Sequence, residues 1–361
     1  MRLLRRNLLV TFRLFVMCLC GCLIVVLFLT LFPLVEVNTC HRIGSGGAVN
    51  SLSNVIASPV LNENDHFLCL IIPFRDRFEE LNEFVPMISE FLNKKSIAHA
   101  IFVVNQIDTL RFNRASLINV GFIKSEKVLH ELGSRNCDYV ALHDVDLLPL
   151  NAELSYAYPE NGPFHVAAPG LHPRYDFPTF IGGILLITRE HFNLANGLSN
   201  RYWGWGLEDD EFHRRLLDSQ LKIQRPVNIT TGKEDTFKHF HSARSRKRDL
   251  SFCYNQQEVT RKRDRDTGMN TVSYKMGKTF QKCIENVAYT LLNIELLCDH
   301  SKTPWCNCKD APKVEMKRNL PRDEDVIVPI IQWGSSTISG FELARMPGVV
   351  QFYRYSRGCK S

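Results

Sequence analysis

The chain has 361 residues, 45% of them hydrophobic, enough to bury a substantial core in one large domain or two small ones. Its net charge of +6 is modest and uneven, concentrated in ARSRKRD (Ala243 to Asp249) and RKRDRD (Arg261 to Asp266). In a nuclear protein such clusters would point to nucleic acid. The N-terminus excludes that reading and leaves a solvated face, or attraction of an acidic substrate or partner.

Residues 1–13 carry Arg2, Arg5, Arg6 and Arg13, and Leu14 to Val35 then runs without a charged residue up to Glu36. That run is long enough to span a bilayer, and no small-x-small cleavage site directly follows it. The positive-inside rule puts the short tail in the cytoplasm and the remainder on the other side. The expected order is a cytoplasmic tail (1–13), a transmembrane anchor (14–35) and a Gly/Ser/Asn-rich stem (36–64). A catalytic domain (65–309) follows, then a C-terminal extension (310–361) to which no role is assigned. An oxidising compartment sorts the cysteines. Cys18, Cys20 and Cys22 fall in the membrane run, and Cys69 and Cys137 read as buried free thiols in apolar strands. Cys298, Cys306 and Cys308 lie in a polar stretch and are disulfide candidates. Asn228-Ile229-Thr230 is a glycosylation sequon.

From residue 66 onward, strands and helices alternate. His66 to Phe74 reads as a buried strand, Arg77 to Lys95 as an amphipathic helix, and His99 to Gln106 as a strand. Arg111 to Leu132 reads as a second helix, and DYVALHD as a third strand. This order predicts an α/β fold with a mostly parallel central sheet flanked by helices. Ligands bind such sheets at the carboxyl ends of strands, where PFRDR, NQID and HDVD fall. No GxGxxG and no Gly-Lys-Ser/Thr loop is present, which disfavours Rossmann dehydrogenases and P-loop enzymes.

HDVDLLP sets Asp144 and Asp146 one residue apart, so both can face one spot while Val145 turns to the core. Two carboxylates that close call for a positive partner, such as a divalent cation; the alternative is a surface turn ending a strand. KHFHS places His239 and His241 two apart, which with Asp146 makes a mixed N/O set suited to Mn(II), or else paired surface histidines. In WGWGLEDDE, Gly204 and Gly206 free the backbone around Trp203 and Trp205, a composition suited to a mobile loop. Glu208, Asp209, Asp210 and Glu211 crowd the first turn of the following helix, more acids than capping needs, so one could take a proton.

PFRDR, FNRASLINVGF, HDVDLLP, FIGGILL, WGWGLEDDE and HFH occur in the order of the β-1,4-galactosyltransferase family, and the resemblance spans roughly residues 66 to 308. FEEL, LHPRY, the HxH pair and LLNIELLCDHSKTPWC resemble its xylosylprotein branch. The resemblance implies a Golgi type II membrane protein with a GT-A catalytic fold. It implies Mn(II)-dependent transfer of galactose from UDP-galactose, with inversion, to xylose on proteoglycan core proteins or to β-xylosides. It further implies donor contacts at Pro73, Phe74, Arg75, Arg77, Phe112, Arg114, Asp144 and Val145, with Trp205 as the lid. Tyr175, Asp210, Gly182 and Gly183 would form the acceptor side, and Asp209 would be the base. Asp146, His239 and His241 would hold the metal, and Cys298 would pair with Cys306 in preference to Cys308. Competing readings are a family member using N-acetylglucosamine and a non-catalytic lumenal sugar-binding protein. A two-metal phosphohydrolase would need a second carboxylate set, which the sequence does not offer.

Overall fold

In a computed structural model of the chain, residues 66–240, 246–309 and 311 are described here. The expected tail, anchor, stem and C-terminal extension lie outside the described residues, as does His241. Among the described residues no helix is long and apolar enough to cross a membrane.

Strand β1 (Phe67–Phe74) is buried at every position, so both of its faces must be covered. Helix α1 (Phe78–Lys94) packs Leu81, Phe84, Val85, Ile88 and Leu92 against Leu68, Leu70 and Ile72 of β1. Helix α2 (Arg114–Glu131) covers the other face, setting Leu117 and Ile118 with Cys69 and Ile71. Each such aliphatic side chain contributes roughly 1.5–3 kcal/mol when fully buried. Gly121 lets α2 lie close to the sheet: a Cβ there would meet Ile71 Cγ2 at 2.5 Å and Val104 Cγ2 at 2.7 Å. Gly121→Ala should therefore overpack this layer, at a cost of about 1–3 kcal/mol.

Strands β2 (Ala98–Gln106), β3 (Tyr139–His143), β6 (Ile184–Thr188), β8 (Tyr274–Ile284), β9 (Val287–Leu296) and the short β5 (Phe164–His165) complete a sheet ordered β5-β6-β3-β1-β2-β9-β8. Only β3, β1, β2 and β9 run parallel; β5, β6 and β8 join antiparallel. The sheet is thus mixed, not mostly parallel: β8 turns back on β9 through a tight hairpin at one edge, and β6 and β5 add antiparallel at the other. The β8–β9 hairpin turns at Glu285 and Asn286, both with positive φ (48° and 66°), as a two-residue type I′ turn requires. A separate ribbon pairs β4 (Leu147–Pro149) with β7 (Phe237–His239).

Three disulfides join described residues. Cys298–Cys306 forms as expected. Cys69 and Cys137 are not free thiols but a disulfide, which ties β1 to the segment just before its parallel neighbour β3. Cys308 pairs with Cys253, which the sequence did not single out.

Candidate active site

The site is built where β3 ends. Asp144 leaves the strand with its backbone N–H donating to the Gly183 carbonyl at 2.9 Å, so the glycine pair preceding β6 lies against the DVD turn. Gly183 needs its positive φ of 78°, and a Cβ on it would meet Leu147 at 2.9 Å. Val145 is buried, as expected. Arg114, at the start of α2, donates from Nε to Asp144 Oδ1 at 2.7 Å and lies 3.8 Å from Glu208 Oε1. Burial opposes the Arg114 charge, but Asp144, Glu208 and Asp209 outweigh it and raise its pKa. Asn113 caps that helix by accepting from Ser116 N at 2.9 Å, which fixes the base of Arg114.

The four acids of α4 (Glu208–Asp218; α3 is Arg189–Leu194) separate into distinct environments. Leu207 enters the helix at φ 72°, and all four carboxylates sit in the first turn, where the helix dipole favours negative charge. Glu211 is fully buried and accepts from Arg215 Nε at 2.7 Å, while Arg215 also donates to the Asp264 and Thr267 carbonyls. Glu211 is therefore a structural anchor, and with it part of the RKRDRD cluster is internal. Glu208 faces Arg114. Asp209 and Asp210 remain for chemistry. Burial, then repulsion from Asp209 and Glu208, pushes Asp210 up to about 8. Burial, then Asp209, pushes Glu208 up to about 7 against the pull of Arg114. Asp209 is also raised by burial, with Arg114 opposing, and Asp144 is raised by burial with Asp146 and Asp209 adding to it. Arg114 sits among these carboxylates, and Arg248 acts on Asp146 from the other side.

The β4–β7 ribbon brings the histidine segment to that place: Leu147 pairs with His239, and the Phe240 N–H donates to the Asp146 carbonyl at 3.0 Å. A carboxylate oxygen and an imidazole nitrogen suit Mn(II), so the residues present fit this ion.

Near the residues expected on the acceptor side, buried His172 has its pKa lowered to about 3, by burial first and then by His239 and His165. Its neutral Nδ1 accepts from the Arg174 and Tyr175 N–H groups, both at 3.0 Å, which fixes the Tyr175 turn. The Tyr175 hydroxyl is buried beside the Arg248 guanidinium. Trp205 is 42% exposed, and its backbone N–H donates to the Asp249 carbonyl at 2.9 Å. Gly204 beside it has φ 88°, and a Cβ there would run into the Arg111 guanidinium.

Of the expected donor residues, Pro73 and Phe74 end β1. Arg75 spends its guanidinium on the Leu110 carbonyl (2.7 Å) and Asp108 (3.3 Å), 5.8 Å from the Phe112 ring centre, and Arg77 pairs with Glu80 at 3.2 Å. The sequence missed Arg111, which donates to Asp249 (2.6 Å), Gln256 (2.7 Å) and the Ser251 and Trp305 carbonyls. It also missed roles for His172 and Arg248; LHPRY carried His172 in plain view and Arg248 stood within the basic run ARSRKRD, whereas no local pattern marks Arg111. Asn228 is exposed, with φ 63°.

The family pattern described as N-terminal region of glycosyl transferase group 7 matches residues 52–159, and that described as N-terminal domain of galactosyltransferase matches residues 162–241. Beta-1,4-galactosyltransferase 7 of Drosophila melanogaster is 55% identical over 244 residues, covering 67% of this chain and 73% of that one. The xylosylprotein 4-beta-galactosyltransferase of Caenorhabditis elegans is 43% identical over 250 residues, covering 68% and 84%. The solved catalytic domain of the Drosophila β1,4-galactosyltransferase 7 in complex with xylobiose superposes with a TM-score of 0.64 at 55% identity, covering 68% of this chain and all of that one. A mutant of that enzyme in complex with manganese, UDP-Gal and xylobiose superposes equally well, with the same TM-score of 0.64. The motif order, the mixed sheet and these matches agree: the chain belongs to the β-1,4-galactosyltransferase family.

Proposed function

We propose that the chain transfers galactose from UDP-galactose, with inversion, to xylose on xylosylated serine of proteoglycan core proteins. The observation that carries this reading is the placement of Asp209 against Gly182 and near the Arg114–Asp144 pair, with the pKa of Asp209 and of its neighbour Asp210 both raised. A carboxylate whose pKa is raised by burial is a stronger base, which suits removal of a proton from a sugar hydroxyl. Likeness to an enzyme whose complex holds manganese, UDP-Gal and xylobiose supports the choice of substrates.

In this reading the acceptor rests on Tyr175 and is hydrogen-bonded by Asp210, Gly182 and Gly183 shape the space beside it, and Asp209 takes the proton of the attacking hydroxyl. Inversion from an α donor requires attack from the side opposite the leaving diphosphate. Arg75, Arg77 and Phe112 stand at the donor end with Pro73, Phe74 and Val145. Arg114 holds Asp144 toward the nucleotide, and Trp205 closes over it. Asp146, His239 and His241 would hold Mn(II), which supplies positive charge to the leaving diphosphate. The GT-A fold (65–309), the anchor at 14–35, the stem at 36–64, lumenal placement in the Golgi and glycosylation at Asn228 belong to the same proposal. The test is an acceptor panel with UDP-galactose and Mn(II). Galactosylation of a β-xyloside in preference to N-acetylglucosamine is the expected result; the reverse preference, or no transfer to either, refutes the assignment.

A further inference from the structure

Residues 246–249, Arg-Lys-Arg-Asp, are not a solvated face. At one end Arg246 donates to both Glu80 carboxylate oxygens, at 2.7 and 2.8 Å, at the foot of α1. At the other, Asp249 accepts from Arg111 at 2.6 Å while its carbonyl holds the Trp205 backbone N–H. Between these two clamps Lys247 is exposed, and Arg248 is turned the opposite way. Its guanidinium carbon lies 4.4 Å from the Trp205 ring centre and 5.6 Å from that of Tyr175.

We propose that Arg248 is a specificity-determining residue on the acceptor side, joining the Trp205 indole to the Tyr175 wall and donating hydrogen bonds to the oxygens of the xyloside. This rests on the reading of Trp205 as lid and Tyr175 as acceptor wall. A guanidinium held over ring faces is stabilised through those faces and keeps its in-plane N–H donors for a ligand. The buried Tyr175 hydroxyl lies beside the Arg248 guanidinium on the same wall. Two aromatic faces and a guanidinium with five N–H donors match a pyranose, whose C–H faces are apolar and whose rim carries hydroxyls. Because the Arg246 and Asp249 clamps carry the segment, removing the Arg248 head leaves its backbone supported.

The experiment compares Arg248→Ala, Arg248→Lys and Tyr175→Phe with the unaltered full chain, with UDP-galactose and Mn(II) saturating. Arg248→Ala should raise KM for a β-xyloside at least about tenfold, the loss expected for a hydrogen bond from a charged donor, with kcat and UDP affinity little changed. Arg248→Lys should recover only part of this, since an ammonium cannot stack as a planar fork does. An unchanged xyloside KM in Arg248→Ala, or full recovery by Arg248→Lys, overturns the inference. If Tyr175→Phe raises KM while Arg248→Ala does not, the acceptor wall stands and only the role of Arg248 falls. If neither raises it, the acceptor site itself is misplaced.

Discussion

Gly182 lies so close to Asp209 that a Cβ at residue 182 would meet Asp209 Oδ2 at 2.7 Å. The backbone φ of Gly182 is not in the left-handed region, so alanine is conformationally tolerable there and its effect is steric. Gly182→Ala should push the carboxylate out of place and lower kcat by up to about a hundredfold, the scale of loss from an ångström of misplacement. Its melting temperature should move far less. Steady-state kinetics beside thermal unfolding separates the two, and unchanged kcat would mean the contact has no catalytic consequence.

The carboxylate turn also makes a statement about pH. Glu208 and Asp210 stand at about 7 and about 8, above their ordinary values of 4.5 and 3.8. The folded chain thus keeps protons that the unfolded chain has already lost. This contribution to stability is complete below the ordinary carboxylate range and is lost progressively as pH rises from there up to about 7 to 8. Asp210→Asn should therefore stabilise the metal-free chain increasingly as pH climbs through that window, and little in acid. Melting curves across the window check it; a gain confined to acid would reverse the sign.

Cys253 and Cys308, 55 residues apart, tie the segment after Asp249 to the Trp305 turn beside Arg111. Cys253→Ser should cost about 2–4 kcal/mol, the usual range for a bridge closing a long loop. Hydrogen exchange should quicken around residues 249–260, and urea unfolding gives the energy.

Chelation should abolish transfer and Mn(II) restore it. His239→Ala should raise the Mn(II) concentration that half-restores activity, read from a titration at fixed UDP-galactose. A variant that works at unchanged Mn(II) would remove His239 from the metal set.

The parallel centre of the fold was legible because β1 and the α1 face obey simple burial rules, each declaring its period locally. The β8–β9 hairpin was not. Strand β8 is an edge strand exposed over most of its length, so it carries no apolar run, and its turn uses Glu285-Asn286 in place of a glycine pair. In the site, DVD and EDDE announced themselves by charge density. What sorts the four acids is only partly local: Arg215 reaches Glu211 from one turn along the same helix, while Arg263 and Arg114 come to Glu211 and Glu208 from elsewhere in the chain. The Cys69–Cys137 bridge was hidden for the same reason, since a buried cysteine looks alike bridged or free until its neighbour in space is known.

The assignment rests most directly on Asp209. Asp209→Asn keeps size and polarity but cannot take a proton, so turnover with UDP-galactose, Mn(II) and a β-xyloside should fall by about 10²–10⁴-fold. Affinity for UDP with Mn(II), read from tryptophan fluorescence, should stay nearly the same. Near-normal turnover by Asp209→Asn would show that the proton leaves by another route and that the site has been given the wrong base.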